Sequence, residues 1–208
     1  MTGAGVDLGQ LFDVGLFAID DEQRRLMETA RAEFVTHGFR RTSVGDIARS
    51  AKVSRQTVYR RLGDKEDIVR TVTVNEVVTF FTAISEQVLA HDTPADRAVE
   101  AFALGVRECR TNPLMAALRQ FEPDTLLSLL ADQASALEPV RALIAIAIVA
   151  DDMPMDAALR AADLMLRLTA SLLMVPSEMV PIETDEQARR FAATYFTPLI
   201  EAAKSDQC

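Results

Sequence analysis

The chain has 208 residues, 49% of them hydrophobic, with eight Gly, eight Pro, no Trp and two Tyr, and a net charge of −9. That apolar fraction supports a packed core and excludes a disordered chain; the abundance of Ala, Leu and Val, with no Asn-Gly or Asp-Gly hairpin signal, argues against a sheet-rich fold. Two cysteines, Cys109 and Cys208, are too few for a disulfide framework, and the most apolar run, Ala142–Ala150, has nine residues, under half a membrane span.

The N-terminal stretch carries Asp7 and Asp13 and no basic region, which makes a poor signal peptide. With the cysteine usage, this predicts a soluble cytoplasmic protein with no membrane partner. Charge is unevenly spread: residues 21–72 have a net of +4 and the remainder a net of −13. Between Gly38 and Leu62 seven basic residues accompany one acidic residue, Asp46. Such an island is either a solvated helix face or a footprint for an anionic partner that the acidic body repels.

In chain order, residues 1–20 read as a small arm. Leu26, Met27, Ala30, Phe34 and His37 then recur at three- and four-residue steps, predicting a first helix that stops at Gly38. Ser43 with Asp46 forms a capping-box pattern for a short second helix from about Val44 to Ala51. Ser54 is the next N-cap candidate, and Val58 and Leu62 give the third helix its inner face. Gly63 stops that helix, and Asp64, with Asp67 three residues on, caps a fourth. The connection Ala51-Lys52-Val53-Ser54 has the length of a helix-turn-helix corner. Beyond it the helices lengthen. One runs without Gly or Pro to about Ala90, and Thr93-Pro94 opens another to about Arg110. Pro113 and Pro123 punctuate two shorter pieces, and Pro139 opens a helix ending near Asp152. Two strong helices follow, Met155–Val175 and Asp185–Ala203.

The third helix explains the island. Opposite Val58 and Leu62 stand Gln56 and Arg60, flanked by Thr57 and Tyr59, and Arg55 lies in the first turn, which leads into a major groove. Arg can pair with guanine and Gln with adenine in bidentate fashion. The starts of the second helix, at Thr42 and Ser43, and of the fourth, at Lys65, offer free N–H groups and a positive dipole end for phosphate.

The run TSVGDIARSAKVSRQTVYRRLGDKEDIV, with Phe34 and Gly38-Phe39 ahead of it, resembles the DNA-binding domain of the TetR family of bacterial transcriptional regulators. The match covers about residues 21–72. Two features depart from the family pattern: Lys52 stands where the family usually has Gly, and Arg60-Arg61-Leu62 replaces an aromatic-His-aromatic run. The resemblance implies an all-α fold: an N-terminal three-helix helix-turn-helix DNA-binding domain (21–72), then a larger helical ligand-binding and dimerisation domain (73–208). It assigns Arg55, Gln56 and Tyr59 to bases, moves Arg60 from the helix wheel's base reader to a phosphate contact, and adds Thr57, Arg61 and Lys65, with Thr42 and Ser43, on phosphate.

It further implies a pseudo-palindromic double-stranded DNA operator and a homodimer whose last two helices form a four-helix bundle, with Leu164, Leu168, Leu172, Phe191, Tyr195 and Ile200 as candidate interface. The family's middle helices commonly enclose a pocket for a small-molecule effector, and Phe80, Phe81, Phe102, Met115, Phe121 and Met165 are candidate lining. The same side chains are equally the material of an ordinary core. No catalytic constellation, cofactor fingerprint or metal spacing is found; His37 and His91 are isolated, and Cys109 reads as a helix residue rather than a redox sensor. The expectation is a non-enzymatic regulator, most simply a repressor released by its effector. The alternatives are an all-helical dimeric interaction protein that no longer binds DNA, and a small helical enzyme.

Overall fold

The structure, a computed structural model, describes residues 20–121 and 137–205. The expected arm, the piece after Pro123 and Cys208 lie outside the described residues, as does the side chain of Phe121. Among the described residues there are nine helices and no strand: α1 (Asp21–His37), α2 (Val44–Ser50), α3 (Arg55–Leu62), α4 (Lys65–Leu89), α5 (Pro94–Thr111), α6 (Pro113–Phe121), α7 (Glu138–Ile148), α8 (Met155–Met174) and α9 (Asp185–Ser205).

The caps predicted from spacing form: the Ser54 hydroxyl accepts from the Thr57 N–H at 3.1 Å, and Thr93 accepts from the Asp96 N–H at 3.1 Å. Asp20 also caps α1, where no cap was expected, its side chain accepting from the Gln23 N–H at 2.8 Å. Ser43 with Asp46 and Asp64 with Asp67 are both reciprocal capping boxes. Gly38 (φ 80°) and Gly63 (φ 82°) end α1 and α3 in backbone conformations that favour glycine. α7 ends at Ile148 rather than near Asp152: the chain turns back, Met153 N–H donates to Ala150 C=O at 3.0 Å, and Met153 is buried.

Two apolar cores result. The N-terminal core gathers Leu26, Ala30 and Phe34 of α1, Ile47 and Ala48 of α2, Val58 and Leu62 of α3 and Ile68 of α4. Phe34 and Phe39 stack within it, ring centroids 4.6 Å apart. The expected division at residue 72 falls inside α4, and Leu114, Met115 and Leu118 of α6 complete this core. Sequence reading had placed those three in the larger domain. They join the smaller one because Pro113 and the turn at Asn112 fold α6 back against α1.

The second core is built on α5, α8 and α9. α9 packs along α5 more extensively than any other pair of helices. Phe102 stacks on Phe191 at 5.2 Å and meets the Phe196 edge at 5.0 Å. α8 contributes Ala157, Ala158, Ala161 and Ala162, small residues that let its neighbours approach closely. Among the described residues α4 has the length and apolar content to cross a membrane; it packs on α1, α3, α5 and α7, and its first two turns carry Lys65, Glu66, Asp67 and Arg70.

Candidate nucleic-acid interface and internal cavity

α3 is held by its inner face and open on its outer one. Val58 is fully buried and Leu62 nearly so, whereas Arg55, Gln56 and Arg60 are exposed and Tyr59 is 53% exposed. The corner before it is tight. Val53 N–H donates to Ala48 C=O at 3.0 Å, and Lys52, at the position where the family usually has Gly, takes φ 57°, a left-handed conformation. Arg25 of α1 caps the end of α2 by donating from Nη1 to Ala51 C=O at 2.9 Å. The three expected base readers therefore share an exposed surface on a helix whose position is set by its buried side.

The expected phosphate contacts divide. Ser43 is exposed at the start of α2; its hydroxyl accepts from the Asp46 N–H and donates to the Asp46 carboxylate at 2.6 Å. That bond, with the backbone N–H of Ser43, lowers the Asp46 pKa to about 2. Thr57 is half-buried, its hydroxyl 2.9 Å from that of Ser54. Lys65 reaches back to Arg40 C=O at 3.4 Å. Arg61 is engaged within the molecule: Nε donates to Glu22 at 2.8 Å and Nη1 to Asp20 at 2.7 Å, tying α3 to the start of α1. Thr42 is a correction. Its side chain is buried and its hydroxyl donates to Gly38 C=O at 2.9 Å and Glu33 C=O at 3.2 Å, so it fixes the loop rather than facing outward.

Gly45 was missed by the sequence reading. It sits in the first turn of α2 beneath the Arg55 guanidinium, where an added Cβ would lie 2.6 Å from Nη2. Only a residue without a side chain lets Arg55 rest there. The available signal was a glycine inside a short helix, which weakens the helix by ~1 kcal/mol relative to Ala and so points to a close approach.

The larger domain contains an apolar cavity of about 230 Å³ walled by α4, α5, α7 and α8. Phe80, Phe81, Phe102, Met115 and Met165 line it, as does Cys109; the side chain of Phe121 lies outside the described residues. Met115 also belongs to the N-terminal core and Val77 packs against it, so both residues border core and cavity.

A polar junction stands at the same wall. Glu76 of α4 lines the cavity and takes a bidentate bond from Arg31 of α1, Nε to Oε2 at 2.7 Å and Nη2 to Oε1 at 2.6 Å. Asn112 Nδ2 donates to Glu76 at 2.6 Å and to Glu108 at 2.7 Å, while its Oδ1 accepts from the Leu114 N–H at 2.9 Å and starts α6. Burial alone would raise the Glu76 pKa; the bonds from Arg31 and Asn112 and the Arg31 charge together outweigh it and hold the carboxyl below its usual range. No sequence pattern pointed to this junction.

The expected interface residues also divide. Leu164 is 52%, Leu168 42% and Tyr195 46% exposed, and Leu172 is partly buried against the subunit's core. Phe191 and Ile200 are a correction: at 8% and 0% exposure they belong to the subunit's own core, because that side of α9 faces α5. Among the described residues no group of three or more His, Cys, Asp or Glu side chains could hold a metal ion.

A three-helix module with an exposed recognition helix, joined through α4 to a cavity-bearing helical body, defines the class of helix-turn-helix DNA-binding regulators. Residues 26–72 match the family model described as bacterial regulatory proteins, tetR family. A curated relative, the HTH-type transcriptional regulator HbdR of Aromatoleum sp. (strain CIB), is 29% identical over 83 residues, which are 40% of this chain. The chain thus spans 36% of the length of that relative.

Among solved structures, the TetR family repressor AlkX from Dietzia sp. strain DQ12-45-1b, implicated in biodegradation of n-alkanes, superposes with a TM-score of 0.69 at 18% identity, covering 86% of this chain and 95% of its own. The R. erythropolis repressor QsdR gives 0.63 at 17% identity, covering 85% and 94%. The fatty acid degradation regulator FadR from Bacillus halodurans gives 0.52 at 13% identity, covering 89% and 94%. Residues 26–72 thus match the DNA-binding domain of the TetR family of bacterial regulators, and the chain as a whole shares the fold of solved TetR family repressors.

Proposed function

We propose that the protein is a dimeric repressor that binds a pseudo-palindromic operator and leaves it when a small molecule occupies the cavity. The observation that carries this reading is the outer surface of α3: Arg55, Gln56, Tyr59 and Arg60 stand exposed on a helix anchored through Val58 and Leu62. Arg55, Gln56 and Tyr59 read base edges. Ser43, Thr57, Arg60 and Lys65 hold the phosphate backbone, and Arg61 joins them if it leaves Asp20 and Glu22. One such helix reads only a few base pairs, so a second copy is needed, and Leu164, Leu168 and Tyr195 form the exposed apolar face on which it docks.

The sense of repression is carried over from AlkX and QsdR, both named as repressors. Release works through α4, which starts in the N-terminal core and continues along the cavity. An effector shifts the equilibrium only as far as it binds the DNA-free arrangement better than the DNA-bound one. α4 is read as a helix of the protein core in a soluble cytoplasmic regulator, and no enzymatic step is assigned.

Selection of bound fragments from random duplex DNA tests the reading. The expected product is a palindrome with two half-sites about one helical turn, or a multiple of it, apart, and an affinity that falls steeply with salt. Recovery of no enriched sequence would favour the alternative, a dimeric interaction protein that has lost DNA binding.

A further inference from the structure

The cavity has a chemical bias that its apolar lining conceals. Among the described residues its polar lining groups are Thr73, Glu76, Ser85, Glu108, Cys109 and Thr169. Each hydroxyl proton is already committed to its own helix: Thr73 donates to Val69 C=O at 2.7 Å, Ser85 to Thr82 C=O at 2.8 Å and Thr169 to Met165 C=O at 2.7 Å. What those hydroxyls still offer is lone pairs. Ionised Glu76 and Glu108 offer acceptors only. The Cys109 thiol is the other polar group in the set, and a thiol is only a weak donor.

No Lys, Arg or His lines the cavity among the described residues. By sequence, residues 122–136 contain none either, and Arg119 is the one basic residue whose side chain lies outside the described set. Arg31, which does not itself line the cavity, brings one positive charge to the two carboxylates Glu76 and Glu108, which leaves one net negative charge at the wall.

An anion entering this site loses its hydration and, among the described residues, gains no cation and no side-chain donor stronger than a thiol, so burial is strongly unfavourable. A ligand with a donor end meets acceptors already in place. Resting on the reading of the cavity as the effector site, we propose that the effector is an apolar molecule whose polar end is an uncharged or cationic hydrogen-bond donor, of the alkylamine or alcohol type, and that carboxylates are discriminated against. The donor end approaches Glu76 and Glu108, where it competes with Asn112 and thereby loosens the junction between α4, α6 and α1.

The test is a matched series, decylamine, 1-decanol and decanoate, the two ionic surfactants below their micellar concentrations and the alcohol below its solubility limit, titrated against the whole chain. Displacement of the fluorescent probe N-phenyl-1-naphthylamine gives the affinity. Decylamine and decanol are expected to bind at least ~10-fold more tightly than decanoate, the loss typical of one unmatched charged hydrogen bond. In Glu108→Gln the amine-to-carboxylate ratio is expected to shrink severalfold, with the decanol affinity falling less than that of decylamine. Decanoate binding as tightly as decylamine would overturn the proposal, as would failure of all three to displace the probe. Release of operator DNA is followed separately by fluorescence anisotropy. The predicted affinity order without operator release would refute the effector role and leave the ligand class standing.

Discussion

Lys52 holds a left-handed backbone conformation at the helix-turn-helix corner, φ 57°, which glycine adopts without strain. An L side chain there is unfavourable by roughly 1–2 kcal/mol, and glycine gives back about 0.5–1 kcal/mol through its freer unfolded chain. Lys52→Gly is therefore expected to stabilise the protein by up to ~1 kcal/mol, read as a higher urea midpoint with an unchanged slope. A lower midpoint would mean that the Lys52 side chain makes contacts that outweigh the backbone strain. The position was legible in the sequence, because the family pattern usually has Gly there; that the corner keeps a positive φ rather than taking a different turn comes from the structure. Gly45 was harder to read. Its reason is the Arg55 guanidinium ten positions further along the chain, and only the packing of α2 against α3 brings the two together.

At the scale of elements, the capping boxes at Ser43 and Asp64 could be read directly, since donor and acceptor are three residues apart. The junction at Glu76 could not. Its partners lie 45 and 36 positions away, and an acidic residue on a long helix looks like a solvated one until α1 and α6 are placed. Glu76→Gln removes a bidentate, partly buried ion pair and is expected to destabilise the protein by ~1–2 kcal/mol near neutral pH, Arg31 being exposed enough for solvent to screen part of the loss. The pH dependence has a definite sign. The folded-state pKa of Glu76 lies below 4.5, so its contribution is full above that pH and is lost as pH falls through the folded value. The stability gap between parent and variant, measured by urea denaturation, should thus be widest around pH 6 and close progressively below about pH 4.5. A gap that stayed constant with pH would assign the loss to packing rather than charge.

At the scale of the whole molecule, the all-helical fold was legible from cap spacing and periodicity, and its division into two parts was implied by the family resemblance, whereas the allegiance of single faces was not legible. α9 carries apolar residues on more than one side, and nothing local says which side meets α5; Phe191 and Ile200 turn inward and Tyr195 outward. The exposed remainder, with Leu164 and Leu168 of α8, is the face expected to bind the second subunit. Leu164→Glu/Leu168→Glu should give a helical monomer by sedimentation. Its operator affinity should fall by ~100-fold or more, because two linked half-site contacts become one. A dimer that persisted in this variant would move the interface elsewhere.

The central claim is that α3 reads DNA through its exposed first turn and outer face. The most direct measurement is fluorescence anisotropy of the selected operator and a scrambled duplex, at several salt concentrations, with the parent and Arg55→Ala/Gln56→Ala. The account predicts that the double variant loses about 2–6 kcal/mol of operator binding, the sum of two base-reading side chains, while its binding to scrambled DNA stays within a few-fold of the parent. Equal operator affinity in parent and variant across the salt range would contradict it.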